Sequence, residues 1–188
     1  FVIIVLSLSI SCSRTAPNTV TKPETKPELT LEDATALFDF RDELPGFTYT
    51  PGGSPWERDT LGTSSQDILY INKPGKLYDP DYCQIDCVFW IVDETVAEHI
   101  SAVDSGIVKT DPETETMQSV DLGASVDAVL YETIRSKAVN ILDSLIFKYG
   151  RVFVLINLAN LSPCHEAEHI SLVNLGIIVV QRLKEYSQ

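Results

Sequence analysis

Apolar residues recur along this chain with two different periods, and the change of period marks the elements. Over residues 83–92, CQIDCVFWIV, strict alternation puts Cys83, Ile85, Cys87, Phe89 and Ile91 on one face of a strand. Gln84, Asp86, Val88, Trp90 and Val92 lie on the other. The first set is wholly apolar, so that face is expected to meet helices. Two further runs rich in Val, Ile, Leu and Phe, 142–148 and 151–158, flank Tyr149-Gly150 and predict a β-hairpin. Ser162-Pro163, with Glu166 and Glu168 close behind, then reads as the opening of an apolar helix that runs almost to the terminus.

The remaining elements are shorter. Thr30 with Asp33 three positions on, and Leu31, Ala34, Leu37 and Phe38 at helical spacing, predict an amphipathic helix over 31–43 that Pro45-Gly46 stops. Residues 47–50 and 67–71 read as strands. Between them, the loop PGGSPWERDTLGTSS carries one large apolar side chain, Trp56. Trp56, like Trp90, is a candidate binding residue, because an aromatic ring either caps a core or lines a groove. Asp93 can cap a helix over 94–103 with Val96, Ala97, Ile100 and Val103 as its buried stripe. The turn-rich stretch 104–119 is expected as an exposed loop, with 120–123 and part of 126–134 returning to the sheet. The expected fold is α+β, with one mostly antiparallel sheet of about five or six strands, helices on one face and a long C-terminal helix. Residues 30–188 are enough for one domain and too few for a comfortable second.

The start of the chain has a different composition. FVIIVLSLSI is an apolar run of signal-peptide length, short for a transmembrane helix, and it leads into Ser11 and Cys12. The stretch resembles a prokaryotic lipoprotein signal ending at a lipobox: a small Ser11 precedes the cysteine, and Leu8 stands one place earlier than the usual leucine. With no Met or basic segment ahead of Phe1, the signal is expected to begin upstream. The resemblance implies a signal peptide over 1–11 and a diacylated Cys12. Residues 13–29, SRTAPNTVTKPETKPEL, hold little that can be buried and read as a disordered tether. Two acyl chains suffice for stable anchoring. From about residue 47, the order of elements, with a hairpin followed by a terminal helix, loosely resembles the PsbP-like and LpqN-like α+β domains of envelope lipoproteins. That resemblance implies assistance or binding and assigns no residue a role.

Charge narrows the partners. With 14 Lys and Arg against 27 Asp and Glu, the formal charge is −13, and no basic run interrupts it. Phosphate backbones are bound by clustered cations, so nucleic acid is not an expected partner. After Cys12, three cysteines remain, Cys83, Cys87 and Cys164, in a compartment that permits disulfides. One bridge is expected among them, although a regular strand would hold Cys83 and Cys87 about 13 Å apart, beyond disulfide reach.

One motif carries possible chemistry. His165-Glu166-Ala167-Glu168-His169 satisfies H-E-x-x-H, in which two imidazoles one helical turn apart bind zinc and the glutamate activates its water. A downstream third ligand is hard to find. Glu185 is 16 positions beyond His169 and, on one continuous helix, about 24 Å up the axis. The metzincin extension needs Gly and His where Leu172 and Leu175 stand. On a helical wheel, His165 and His169 extend a core-facing stripe of Leu172, Val173, Gly176, Val179, Val180 and Leu183. An upstream ligand remains open, from His99, Cys83 or Cys87.

The leading reading is a non-enzymatic binding or accessory module without a cofactor. It is lipid-anchored at the cell membrane on the extracytoplasmic side and engages a protein or small ligand of the envelope. The alternative is a zinc-dependent hydrolase using His165 and His169 as ligands and Glu166 as base.

Overall fold

The computed structural model describes residues 31–52, 65–72, 83–92, 94–102, 112–123, 126–134, 141–160 and 170–186. Its frame is a sheet of seven strands in which every neighbouring pair is antiparallel. The strands are β1 (Thr48–Gly52), β2 (Ser65–Asn72), β3 (Cys83–Ile91), β4 (Glu115–Ser119), β5 (Asp127–Thr133), β6 (Ile141–Tyr149) and β7 (Val152–Asn160). They lie in the order β1-β2-β3-β7-β6-β5-β4. Two meanders, β1 to β3 and β4 to β7, are therefore joined through β3 and β7 at the centre. The helices are α1 (Leu31–Leu37), α2 (Glu94–His99) and α3 (Leu172–Tyr186).

Cross-strand register lays the side chains out in rows. On one face, Cys87, Ile156, Leu145 and Leu130 stand abreast, with Phe89, Val154, Phe147 and Ala128 beside them. All eight are buried in a core that also takes Leu37, Phe38 and Phe40 from the α1 region and Leu172, Leu175, Val179, Val180 and Leu183 from α3. The alternation read from residues 83–92 is thus realised. The opposite face is covered by α2: Val88, Leu155, Ile146 and Val129 form a row, and with Trp90, Phe153, Ala97 and Ala102 they make a second core.

Three expectations are corrected. The sheet has seven strands instead of five or six, and helices lie on both of its faces instead of one. The overlooked strand is β4, inside the stretch expected as a loop. It is an edge strand with mostly exposed side chains, held by backbone pairing to β5, so it leaves no apolar alternation to read. Residues 120–123, expected to be a strand, form a turn in which Gly123 has φ 77° and its N–H donates to Asp121 Oδ1 at 2.7 Å.

The C-terminal helix also starts later than Ser162-Pro163. Ser171 is its N-cap: the Asn174 N–H donates to Ser171 Oγ at 3.2 Å and the Leu175 N–H to Ser171 O at 3.1 Å. α3 is tied to α1 at the other end, where Arg182 Nη1 donates to Leu37 O at 2.9 Å and the guanidinium lies 5.8 Å from the centre of the Phe40 ring. Midway along it, Gly176 sits directly on Leu145 and Leu122.

Candidate functional site

A sheet covered on both faces is expected to be apolar on both. Most of the α1 and α3 face is, with buried Asp143, whose Oδ1 accepts the Thr133 N–H, as an exception; the α2 face is apolar over only part of its length. One row beyond Val88, Leu155 and Ile146, the register brings Asp86, Asn157 and Ser144 abreast on the three central strands, with Tyr131 of β5 next to Ser144. The following row contains Asn72, Gln84, Ala159 and Leu142. Neighbouring strands are about 4.8 Å apart, so these side chains are in reach of one another and of one small ligand.

Their hydrogen bonds leave capacity over. Gln84 Nε2 donates to Asp86 Oδ1 at 2.6 Å, and Ser144 Oγ donates to Asn157 Oδ1 at 2.7 Å. Asn72 Oδ1 is buried and has no partner among the described residues. Burial pushes the Asp86 carboxyl above its ordinary range, and the Gln84 hydrogen bond pulls more weakly the other way. Ser144 is buried, Gln84, Asp86 and Asn157 are half-buried, and Leu142 in the outer row is 49% exposed, so the cluster grades from core to solvent. The arrangement can hold a small polar group against a rigid floor. Within it the Ser144 hydroxyl is engaged with Asn157 and one Asp86 carboxylate oxygen with Gln84.

A depression of about 450 Å³ lies beside α2 and is lined by Glu94, Glu98, Asp127, Lys148 and Arg151. Three of these charged side chains, Lys148, Arg151 and Asp127, bond the backbone. Lys148 Nζ donates to Ala97 O and Ile100 O where α2 ends, Arg151 Nε donates to Val92 O at 2.7 Å, and Asp127 Oδ2 accepts the Ala102 N–H at 2.5 Å. These contacts fasten α2 to the sheet in place of an intrahelical partner for its last carbonyls.

The residues singled out in the sequence are placed unevenly. Cys12, Trp56, Cys164, His165, Glu166 and His169 lie outside the described residues. Trp90 is 1% exposed in the core under α2, so it packs and does not line a surface. Cys83 and Cys87 are buried on the α3 face, and no disulfide forms among the described residues, β3 being regular between them. Burial holds the Cys87 thiol well above its ordinary pKa. His99 is exposed at the end of α2, on the opposite face from both thiols, so His99 and either cysteine cannot converge on one ion. No group of three or more His, Cys, Asp and Glu suited to a metal occurs among the described residues. Ile170 and Ser171 are not helical, so residues 165–169 and Glu185 do not share one continuous helix.

Asn72, Ser144 and Asn157 were not singled out by sequence reasoning. Their one signal is a polar residue in or at the end of a mainly apolar strand, and only the register joins them. No helix among the described residues is long and apolar enough to cross a membrane.

Comparison with known proteins yields no match to a family model and none to a curated protein. Among solved structures, the crystal structure of the extracellular domain of PknH from Mycobacterium tuberculosis is similar to this chain. Its TM-score is 0.45 at 10% identity, with 85% of this chain and 92% of that chain covered.

Proposed function

We propose that this chain is a non-enzymatic, lipid-anchored binding or accessory module on the extracytoplasmic side of the cell membrane. Its ligand meets the α2 face of the sheet at Asp86, Asn157 and Ser144. The observation that carries the binding role is that polar row in the middle of the central strands. A purely structural sheet gains more by burying apolar side chains there, and half-buried polar groups with unused hydrogen-bonding capacity are the usual mark of a recognition site. The location rests on the order of parts at the start of the chain: apolar run, Ser11-Cys12, then the polar tether of residues 13–29. The tether holds the domain away from the lipid and leaves the sheet face accessible.

The test expresses the full-length precursor in a prokaryote with a labelled fatty acid. The expected result is membrane partition and label incorporation, both lost in Cys12→Ala while the released domain stays folded. Label that survives Cys12→Ala removes the anchor. One zinc per chain that disappears in His165→Ala replaces the binding reading with the hydrolase.

A further inference from the structure

We infer that the site on the α2 face takes a neutral, hydroxyl-rich small ligand of the carbohydrate class; this rests on the binding role proposed above. The argument is the inventory of donors and acceptors that the cluster leaves open. Asp86 has used one carboxylate oxygen on Gln84, which leaves the second oxygen of this half-buried side chain as an acceptor in the row. Asn157 accepts from Ser144 through Oδ1, which directs its two Nδ2 donors elsewhere. Asn72 adds a buried acceptor, Oδ1, with no partner among the described residues.

A complementary ligand must therefore donate at two places and accept at another within the width of about two strand spacings. An ammonium ion only donates, and it would press its charge against the Asn157 N–H groups. A carboxylate or phosphate only accepts, and it meets the Asp86 carboxylate on a chain of formal charge −13. Calcium takes six to eight oxygen ligands, commonly with several carboxylates, and this row has one. A hydroxyl donates and accepts at once, and neighbouring hydroxyls on one small ring present both functions over the required span. The apolar side of such a ring also has a place to rest. In the outer row, Ala159 and the half-exposed Leu142 stand beside Gln84 on the same face.

The experiment titrates the purified full chain by calorimetry with three disaccharide probes of similar size: cellobiose, which is neutral, the β-1,4-linked glucosamine dimer (cationic) and cellobiouronate (anionic). The expected result is that cellobiose binds and the two charged sugars bind at least tenfold more weakly. Asp86→Asn, which keeps the side-chain shape but turns part of the acceptor into a donor, should weaken cellobiose about tenfold or more, as loss of a hydrogen bond to a charged group does. Asn157→Leu should do the same. If Asn157→Leu fails to fold, as read by its thermal transition, the isosteric Asp86→Asn and the probe ranking still decide. Cellobiose binding that neither variant changes overturns the inference, as does failure of cellobiose to bind. Tighter binding of either charged disaccharide, lost in the same variants, overturns the ligand class and leaves the binding role standing.

Discussion

Gly176 offers the sharpest test of the packing that holds the sheet. A Cβ added there would lie 2.5 Å from Leu145 Cδ2 and 3.1 and 3.3 Å from the two methyls of Leu122. Leu145 has no exposed surface and Leu122 has 3%, so neither can swing into solvent to make room. Gly176→Ala sets two effects against each other. Alanine in a helix interior is favoured over glycine by about 0.8–1.0 kcal/mol, and overpacking a tight core costs about 1–3 kcal/mol. The contact distance is below anything ordinary packing tolerates, so the steric effect wins. The expected outcome is a net loss of about 0–2 kcal/mol, or up to about 8 °C in melting temperature for a domain of this size.

The cycle partner is Leu145→Ala. Alone it opens a cavity and costs about 2–5 kcal/mol. On that background the 2.5 Å contact is gone and the close Leu122 methyls have the new cavity to shift toward, so Gly176→Ala should become near neutral or stabilising by up to about 1 kcal/mol. Urea denaturation of the four proteins measures the coupling, expected at about 1–3 kcal/mol in favour of the double variant. If Gly176→Ala raises stability in the parent chain by the full helix-propensity difference, and the two changes add, then α3 does not rest on Leu145 at Gly176. The seating of the helix would be refuted with it.

Two further outcomes follow from charged groups. The Asp86 carboxyl titrates above its unfolded value because burial penalises the ion, so the folded state binds its proton more tightly. Its contribution is fully present below the unfolded pKa and is lost as the pH rises through the folded one. Asp86→Asn should therefore raise the melting temperature at neutral pH and lose that advantage in acid, and a gain that instead grows toward acid would refute the sign. Arg182→Met keeps the alkyl stem but removes the hydrogen bond to Leu37 O and the stack on Phe40. It should cost about 1–2 kcal/mol in urea denaturation, with amide exchange rising first in α1.

What the amino-acid sequence determined by itself is the set of elements whose residues carry a complete signal. The apolar face of β3, from Cys83 through Ile91, follows from alternation alone because each position is decided by its own neighbours. The β6–β7 turn was legible in the same way, since Gly150 adopts φ 58° where the two runs meet. The buried stripe of α3 was legible from Leu172 to Leu183; the expected opening at Ser162-Pro163 lies outside the described residues, and the break at Ile170-Ser171, where Ser171 caps α3, was not legible.

The tertiary structure decided the rest. β4 exists because its backbone pairs with β5, a contact between positions far apart that leaves no mark on polar residues such as Gln118. Helices on both faces follow from the crossover from β3 to β4, which carries α2 over the side opposite α3. The same crossover buries Trp90, which the sequence offered as a candidate binding residue. The polar row is the clearest case. Asp86, Ser144 and Asn157 are scattered polar residues in three mainly apolar strands, and the pairing of β3 with β7 and of β7 with β6 makes them neighbours. Side-chain alternation is local and can be read along the chain, whereas cross-strand register is a property of the closed sheet and comes into being only when it folds.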